Sequence, residues 1–278
     1  MNYLREVLAS RDLLLNLTLR EVRGQYKRTV FGRLWSLANP LSAMLVYTFV
    51  FYFVLRSRPT PGDPSGLDIF AVWLLCALLP WTFFSTVVNT GMASLVANSG
   101  LIQKVYFSRI VLPLAYVGSA GVNWLFEMGV LVAILFIVGS FVLPWLPLVI
   151  VAMVLLAVFG AGVALALSVA NVYFRDTQYF VGILLQIWFY LTPIIYPVQL
   201  IGVQSQKLGG LLGTPITLLD VYRWNPMERF VSVFRQLLYD NRWPDLGDCF
   251  FCVVAAFVSF SLGVLIFRRN ERRLAEVL

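Results

Sequence analysis

Arg20, Arg23, Lys27 and Arg28 crowd into one short stretch near the start of the chain. Arginine is well shaped for phosphate, because its planar guanidinium can meet two oxygens at once. On a helix, Arg20, Arg23 and Lys27 form a basic stripe about a third of a turn from an apolar stripe of Leu15, Leu19, Val22 and Tyr26. Residues 11–31 are too polar to cross a bilayer. A helix of this kind lies in the interface plane, its oily face in the acyl boundary and its cations at headgroup level. Two readings stand together here: a surface anchor, or a site that gathers a phosphate or pyrophosphate headgroup.

A second group is aromatic and polar. In VGILLQIWFYLTPIIYP, Gln186 and Tyr190 are four residues apart on one helical face, with Trp188 and Phe189 beside them. A glutamine in hydrocarbon needs a partner or a wet cavity. Rings with polar tips suit sugars, which stack on rings and hydrogen-bond through hydroxyls. Tyr47 and Phe51, also four apart, are candidates for the same path. Ordinary aromatic filling of membrane helices is the competing account.

Other chemistry is thin. There is no histidine, hence no imidazole base and no His-ligated metal. No catalytic residue and no metal site is expected. Cys249 and Cys252 form a C-x-x-C that lacks a second ligand pair, and they open an apolar run, so they read as small apolar residues. Glu127 is the one acidic residue within an apolar stretch. One carboxylate is not a proton relay, and an interhelical or subunit contact is the preferred reading.

The elements that must hold these residues are membrane helices. The chain is 60% apolar and 13% charged, with a mean hydropathy of +0.82. A soluble domain carries about 25% charged residues. Six stretches approach the roughly 20 apolar residues needed to span: 37–55, 69–88, 110–138, 147–172, 180–196 and 249–267. The fifth is the weakest, being short and ending at Pro193 and Pro197. In the fourth, Gly160, Ala164 and Ser168, and likewise Gly162, Ala166 and Ala170, recur every four residues, as close helix packing requires.

A net charge of +7 raises nucleic acid as a partner, but the positions of the cations answer it. Fourteen Lys and Arg fall on one side of a six-span arrangement, whereas segment 197–248 carries five basic and five acidic residues. The positive-inside rule then places both termini in the cytoplasm, and no nucleic acid is expected. No secretory signal peptide and no internal repeat is recognised. The second–third connection, 98–114, reads as a short helix across the membrane face that presents Tyr106 and Phe107 to a partner. Arg175 and Asp176 sit side by side at the membrane edge and read, by spacing alone, as a local polar boundary.

Four segments carry a family resemblance: LREVRGQYKRTVFGRLWSLANPL (19–41), LIQKVYFSRIVLPL (101–114), FRDTQYFVGILLQIWFYLTPIIYP (174–197) and WNPMERFVSVFRQLLY (224–239). In this order and over nearly the whole chain, they resemble the membrane subunits of ABC-2 type exporters, in particular the O-antigen, teichoic-acid and cell-wall galactan permeases (the Wzm-like group). Ser108 stands where that family often has Pro, and Thr177 where it often has an apolar residue.

The resemblance implies an all-α integral membrane protein of the bacterial plasma membrane, with six transmembrane helices and short re-entrant helices on the outer side between spans five and six. Residues 1–36 would hold a gate or interface helix and 37–278 the transmembrane domain. Two copies would pair with two copies of a separate ATPase. The 98–109 helix, with Lys104, Tyr106, Phe107 and Arg109, would couple to that ATPase, and Arg175 and Asp176 would add a lesser contact. Arg20, Arg23, Lys27 and Arg28 would hold the pyrophosphate of a polyprenyl-linked polysaccharide, and Tyr47, Phe51, Gln186, Trp188 and Tyr190 would line its channel. This chain would carry no cofactor, with ATP and Mg on the partner.

The sequence agrees independently, having no G-x-x-x-x-G-K-[ST] loop. A membrane glycosyltransferase or lipid phosphatase would need clustered acids or a His/Asp set. An ion-coupled transporter would show inverted repeats. An ABC-2 permease for drugs or small lipids is the closer rival.

Overall fold

The computed structural model describes residues 10–27, 29–56, 60–105, 107–208 and 217–277. They are helical almost throughout. In chain order the helices are α1 (Arg11–Gln25), α2 (Leu34–Tyr47, running on as a π-helical segment, Thr48–Val54), α3 (Phe70–Ala97), α4 (Ser99–Lys104), α5 (Val111–Ile137) and α6 (Leu146–Tyr173). There follow α7 (Thr177–Leu191), α8 (Val198–Leu208), α9 (Leu218–Arg223), α10 (Pro226–Arg235, continuing as Gln236–Asp240) and α11 (Leu246–Val277).

Among the described residues, five stretches are long and apolar enough to cross a bilayer: Leu34–Val54, Phe70–Ala97, Val111–Ile137, Leu143–Tyr173 and Leu246–Glu271. The stretch expected at 180–196 is only the 15-residue α7. Its helix stops at Leu191 because Pro193 has no N–H to continue the ladder and disfavours a helical conformation at Thr192. The helix expected over 98–109 is likewise shorter, ending at Lys104, where Val105 turns extended.

Helix α3 is predominantly apolar, and a helix of that kind belongs inside a bundle. It is the central post, with Leu74, Cys76, Ala77, Phe84, Val87 and Leu95 wholly buried and α5, α6 and α10 packed around it. The small residues of α6 do what their spacing suggests. Gly160 faces Val87 of α3, and Ala164 faces Gly91. Gly162 lies directly against the backbone of Ser259 and Gly263 in α11, and Ser259 Oγ donates to Phe159 O at 2.9 Å. No side chain fits between α6 and α11 at this crossing, so Gly162→Val should force the pair apart. Overpacking costs about 1–3 kcal/mol, and more where backbone is the obstacle. The expected result is loss of the monodisperse protein peak in detergent, while Gly182→Ala, at an open position, leaves it unchanged.

Helix α10 is amphipathic but buried. Met227, Phe230 and Phe234 enter the core, where Phe230 meets Phe159 and Phe234 meets Trp124. Its polar face is tied to α11: Arg229 pairs with Asp248, Ser232 Oγ donates to Asp248 Oδ2 at 2.9 Å, and Asp245 N donates to Gln236 Oε1 at 2.8 Å. At its start Asn225 caps the helix, its Oδ1 accepting from Met227 N at 3.0 Å.

Candidate functional site: substrate path and coupling surface

The amphipathic helix α1 docks on α5. Leu17 and Val22 are buried there, and Thr18 fits into the space left by Gly118. Gln25 Oε1 accepts from Asn123 Nδ2 at 2.7 Å. The apolar stripe is therefore divided: Val22 packs on protein, whereas Leu15 and Leu19 stay 60% and 47% exposed. Of the basic stripe, Arg23 and Lys27 are exposed. Arg20 has a different role in the fold. Its Nη2 donates to Asn98 Oδ1 and to Glu21 Oε1, both at 2.8 Å. Arg28 lies outside the described residues. Tyr26, at the end of α1, has its phenol pushed above the usual value by burial and by the neighbouring Glu127 carboxylate.

Asn98 joins three elements, because its Nδ2 donates both to Ser94 O of α3 (2.9 Å) and to Tyr116 OH of α5 (3.2 Å). Helix α4 starts immediately after it. It buries Ile102 and exposes Lys104. Tyr106 lies outside the described residues, and Phe107 is half-buried. Arg109 turns toward α11: its backbone N–H donates to Glu271 Oε1 at 3.2 Å and its guanidinium to Glu271 O. Arg175 and Asp176 are exposed at the turn before α7.

A cavity of about 340 Å³ opens between α2, α3 and α7. Tyr47, Gln186 and Tyr190 line it, joined by Asn39, Ser85 and Phe189. Tyr47 stacks on Phe189 with centroids 5.9 Å apart, and Tyr190 meets the same ring edge-on at 5.2 Å. Phe51 packs one turn further along, against Tyr47. Trp188 turns the other way, edge-on to Trp81 and Phe84, with Nε1 donating to Asn225 Oδ1 at 2.7 Å. Sequence reasoning passed over Asn39 and Ser85, and named Phe189 only as a neighbour of Gln186 and Tyr190. A signal did exist, since Thr82, Ser85 and Asn89 recur on one face of an otherwise apolar α3.

Long apolar helices around polar, ring-lined hollows, with a cationic helix docked at one end, define a multi-pass membrane transport protein. The chain belongs to the ABC-2 type transporter family, whose model matches residues 12–239. It is a membrane transport subunit, with ATP hydrolysed by a separate ATPase subunit. Among similar proteins is an O-antigen export system permease protein RfbA of Klebsiella pneumoniae, 29% identical over 271 residues, covering 96% of this chain and 95% of the relative. The RfbA of Myxococcus xanthus is 28% identical over 272 residues, covering 98% and 97%. The polysialic acid transport protein KpsM of Escherichia coli is 24% identical over 261 residues, covering 92% of each chain.

Proposed function

We propose that this chain is the membrane subunit of an exporter that moves a polysaccharide, carried on a polyprenyl pyrophosphate, across the bacterial plasma membrane. The observation that carries this reading is the hollow of Tyr47, Gln186 and Tyr190, on the exposed side of α2 and α7. The names of the relatives, matched end to end, supply the cargo class.

Two copies face each other across this hollow and close it into a channel, with two ATPase subunits beneath. Six spans, α7 with its proline-broken end being the fifth, put both termini in the cytoplasm. Segment 197–248 re-enters from the outer side through α10. Exposed Arg23 and Lys27, with Arg28, hold the pyrophosphate at the inner leaflet. Helix α4, with Lys104, Tyr106 and Phe107, rests on the ATPase, and Arg175 and Asp176 add a second contact. Motion of α4 reaches α1 through Asn98 and Arg20, and reaches α11 through Arg109 and Glu271. Weak, repeated contacts with rings and amides let a glycan keep moving, as multi-site conduction requires.

Depletion of the chain in its own host tests the cargo. Lipid-linked polysaccharide should accumulate inside the cell while the surface polymer falls. The Gln186→Leu, Tyr190→Ala double variant should reproduce that phenotype at normal protein level, with surface polymer reduced at least tenfold. Accumulation of a small lipid or drug, with surface polymer intact, would favour the rival permease reading.

A further inference from the structure

A second hollow adjoins the candidate path and shares Asn39 of α2 and Thr82 of α3 with it. It is bounded by the end of α1, the start of α2 and the middles of α3 and α5. Its volume is about 370 Å³, within the ~300–1,000 Å³ typical of small-molecule sites. Helix α5 contributes Asn123, Trp124 and Glu127 to the wall. Asn123 and Glu127 are four residues apart and so lie on one helical face. Trp35 of α2 adds an indole that is 52% exposed.

The polar groups of the α5 wall are only half used. Asn123 Nδ2 donates to Gln25 Oε1 at 2.7 Å, but Asn123 Oδ1 has no hydrogen-bond partner. Trp124 stacks on Phe83 with centroids 4.0 Å apart and is 2% exposed. Its Nε1–H is unpaired as well. Buried polar groups are almost always satisfied, above all where no bulk water can reach them. Whatever completes this wall must accept from an indole and donate to an amide oxygen at adjacent positions of one helix.

That requirement selects among ligands. An ammonium only donates, so it leaves the indole unmet. An ionised phosphate only accepts, so it leaves Asn123 Oδ1 unmet, and the Glu127 carboxylate repels it. A hydroxyl does both. Water does both too, but it gains nothing from the ring of Trp35. A sugar carries several hydroxyls in fixed relation and an apolar face that stacks on an indole.

Position narrows the choice of sugar. Gln25 and Tyr26, at the end of α1, belong to this wall, and the exposed Arg23 and Lys27 lie within three residues of Tyr26. A pyrophosphate held by those cations brings its attached sugar to the hollow. The shared Asn39 and Thr82 then lead on toward Tyr47, Gln186 and Tyr190.

We propose that this hollow is the entry subsite of the path, where the sugar joined to the pyrophosphate is recognised before the glycan advances. The sugar face lies on Trp35. One hydroxyl accepts from Trp124 Nε1–H and donates to Asn123 Oδ1, and a second hydroxyl donates to Glu127. The inference rests on the export reading and adds to it a place where the first sugar of the cargo is held.

The test uses the exporter complex, this chain with its ATPase, purified in detergent. Two labelled probes are compared: a polyprenyl-pyrophosphate-linked polysaccharide extracted from the host, and a polyprenyl pyrophosphate bearing no sugar. The wild-type complex should half-saturate at about tenfold lower concentration of the sugar-bearing probe. Glu127→Leu should bring the two probes within about twofold of each other. Trp124→Phe keeps the stack on Phe83 and removes only the N–H, so it guards against a folding failure in the first variant. It should reduce the preference about threefold. Equal half-saturation by the two probes on wild type, or full preference kept by both variants, would overturn the subsite and leave export itself standing. A wild-type complex that binds neither probe would overturn the export reading and the subsite together.

Discussion

Arg235→Gln should strip the protein of its stable fold in detergent, the largest loss expected from any single substitution in the chain. The guanidinium of Arg235 lies 3.6 Å above the ring of Trp73 in α3. Its Nη1 donates to Pro193 O at 2.6 Å and its Nη2 to Ile194 O at 2.7 Å. Those carbonyls exist as free acceptors because α7 breaks at Thr192–Pro193. The helix that would have satisfied them cannot continue.

One side chain thus joins α10, α3 and the broken end of α7. Each charge-assisted bond contributes about 1.5–3 kcal/mol, so losing both removes about 3–6 kcal/mol. That is a large share of the roughly 5–15 kcal/mol by which a folded domain is stable. Arg235→Lys keeps the charge but not the fork, and one amine cannot reach both carbonyls with the same geometry while lying flat on Trp73. It should fall between glutamine and wild type. Thermal unfolding followed by size-exclusion chromatography reads both, and a glutamine variant with the wild-type midpoint would show that these contacts contribute little.

The second large effect is functional and should leave stability alone. Arg23 and Lys27 are exposed, so Arg23→Gln with Lys27→Gln removes two charges without opening a cavity or orphaning a buried partner. If these cations hold a pyrophosphate, two charge-assisted contacts disappear together. Export measured as surface polymer should then drop at least tenfold at unchanged protein level, a factor worth about 1.4 kcal/mol or more. Arg20→Gln is the informative companion. It breaks the bond to Asn98, so its defect should appear as ATP hydrolysis uncoupled from export. Normal export in the double variant would leave the helix an anchor and nothing more.

Much of this was readable from residues alone. A span announces itself because each charge at bilayer depth is costly and each apolar residue is not, and this accounting needs no neighbours. The break after α7 was equally local, since Pro193 acts on its own backbone. So was the close packing of Gly162, whose recurrence every four residues places small surfaces in a line. The basic stripe of α1 followed from helical periodicity.

Other features were not legible, for reasons that particular residues make plain. The apolar positions of α1 include Leu13, Leu14, Leu15, Leu17, Leu19 and Val22, which allow more than one face. The choice of Leu17 and Val22 as the buried ones rests on Gly118, about a hundred residues away, making room for Thr18. Trp188 and Tyr190 look alike in the sequence, yet Asn225 draws one indole into the core and leaves the phenol at the hollow. The helix expected to reach residue 109 stops at Lys104, and Arg109 instead binds Glu271.

By itself, then, the amino-acid order determined what the solvent is, that five stretches are long and apolar enough to cross it, and that the stretch after Arg175 is cut short by its prolines. These depend on transfer free energies and backbone chemistry that act residue by residue. Only tertiary structure decided which face of each helix is buried, which polar groups find partners, and where hollows remain. Those outcomes depend on atoms brought together from distant parts of the chain, as when Arg235 reaches carbonyls more than forty residues earlier.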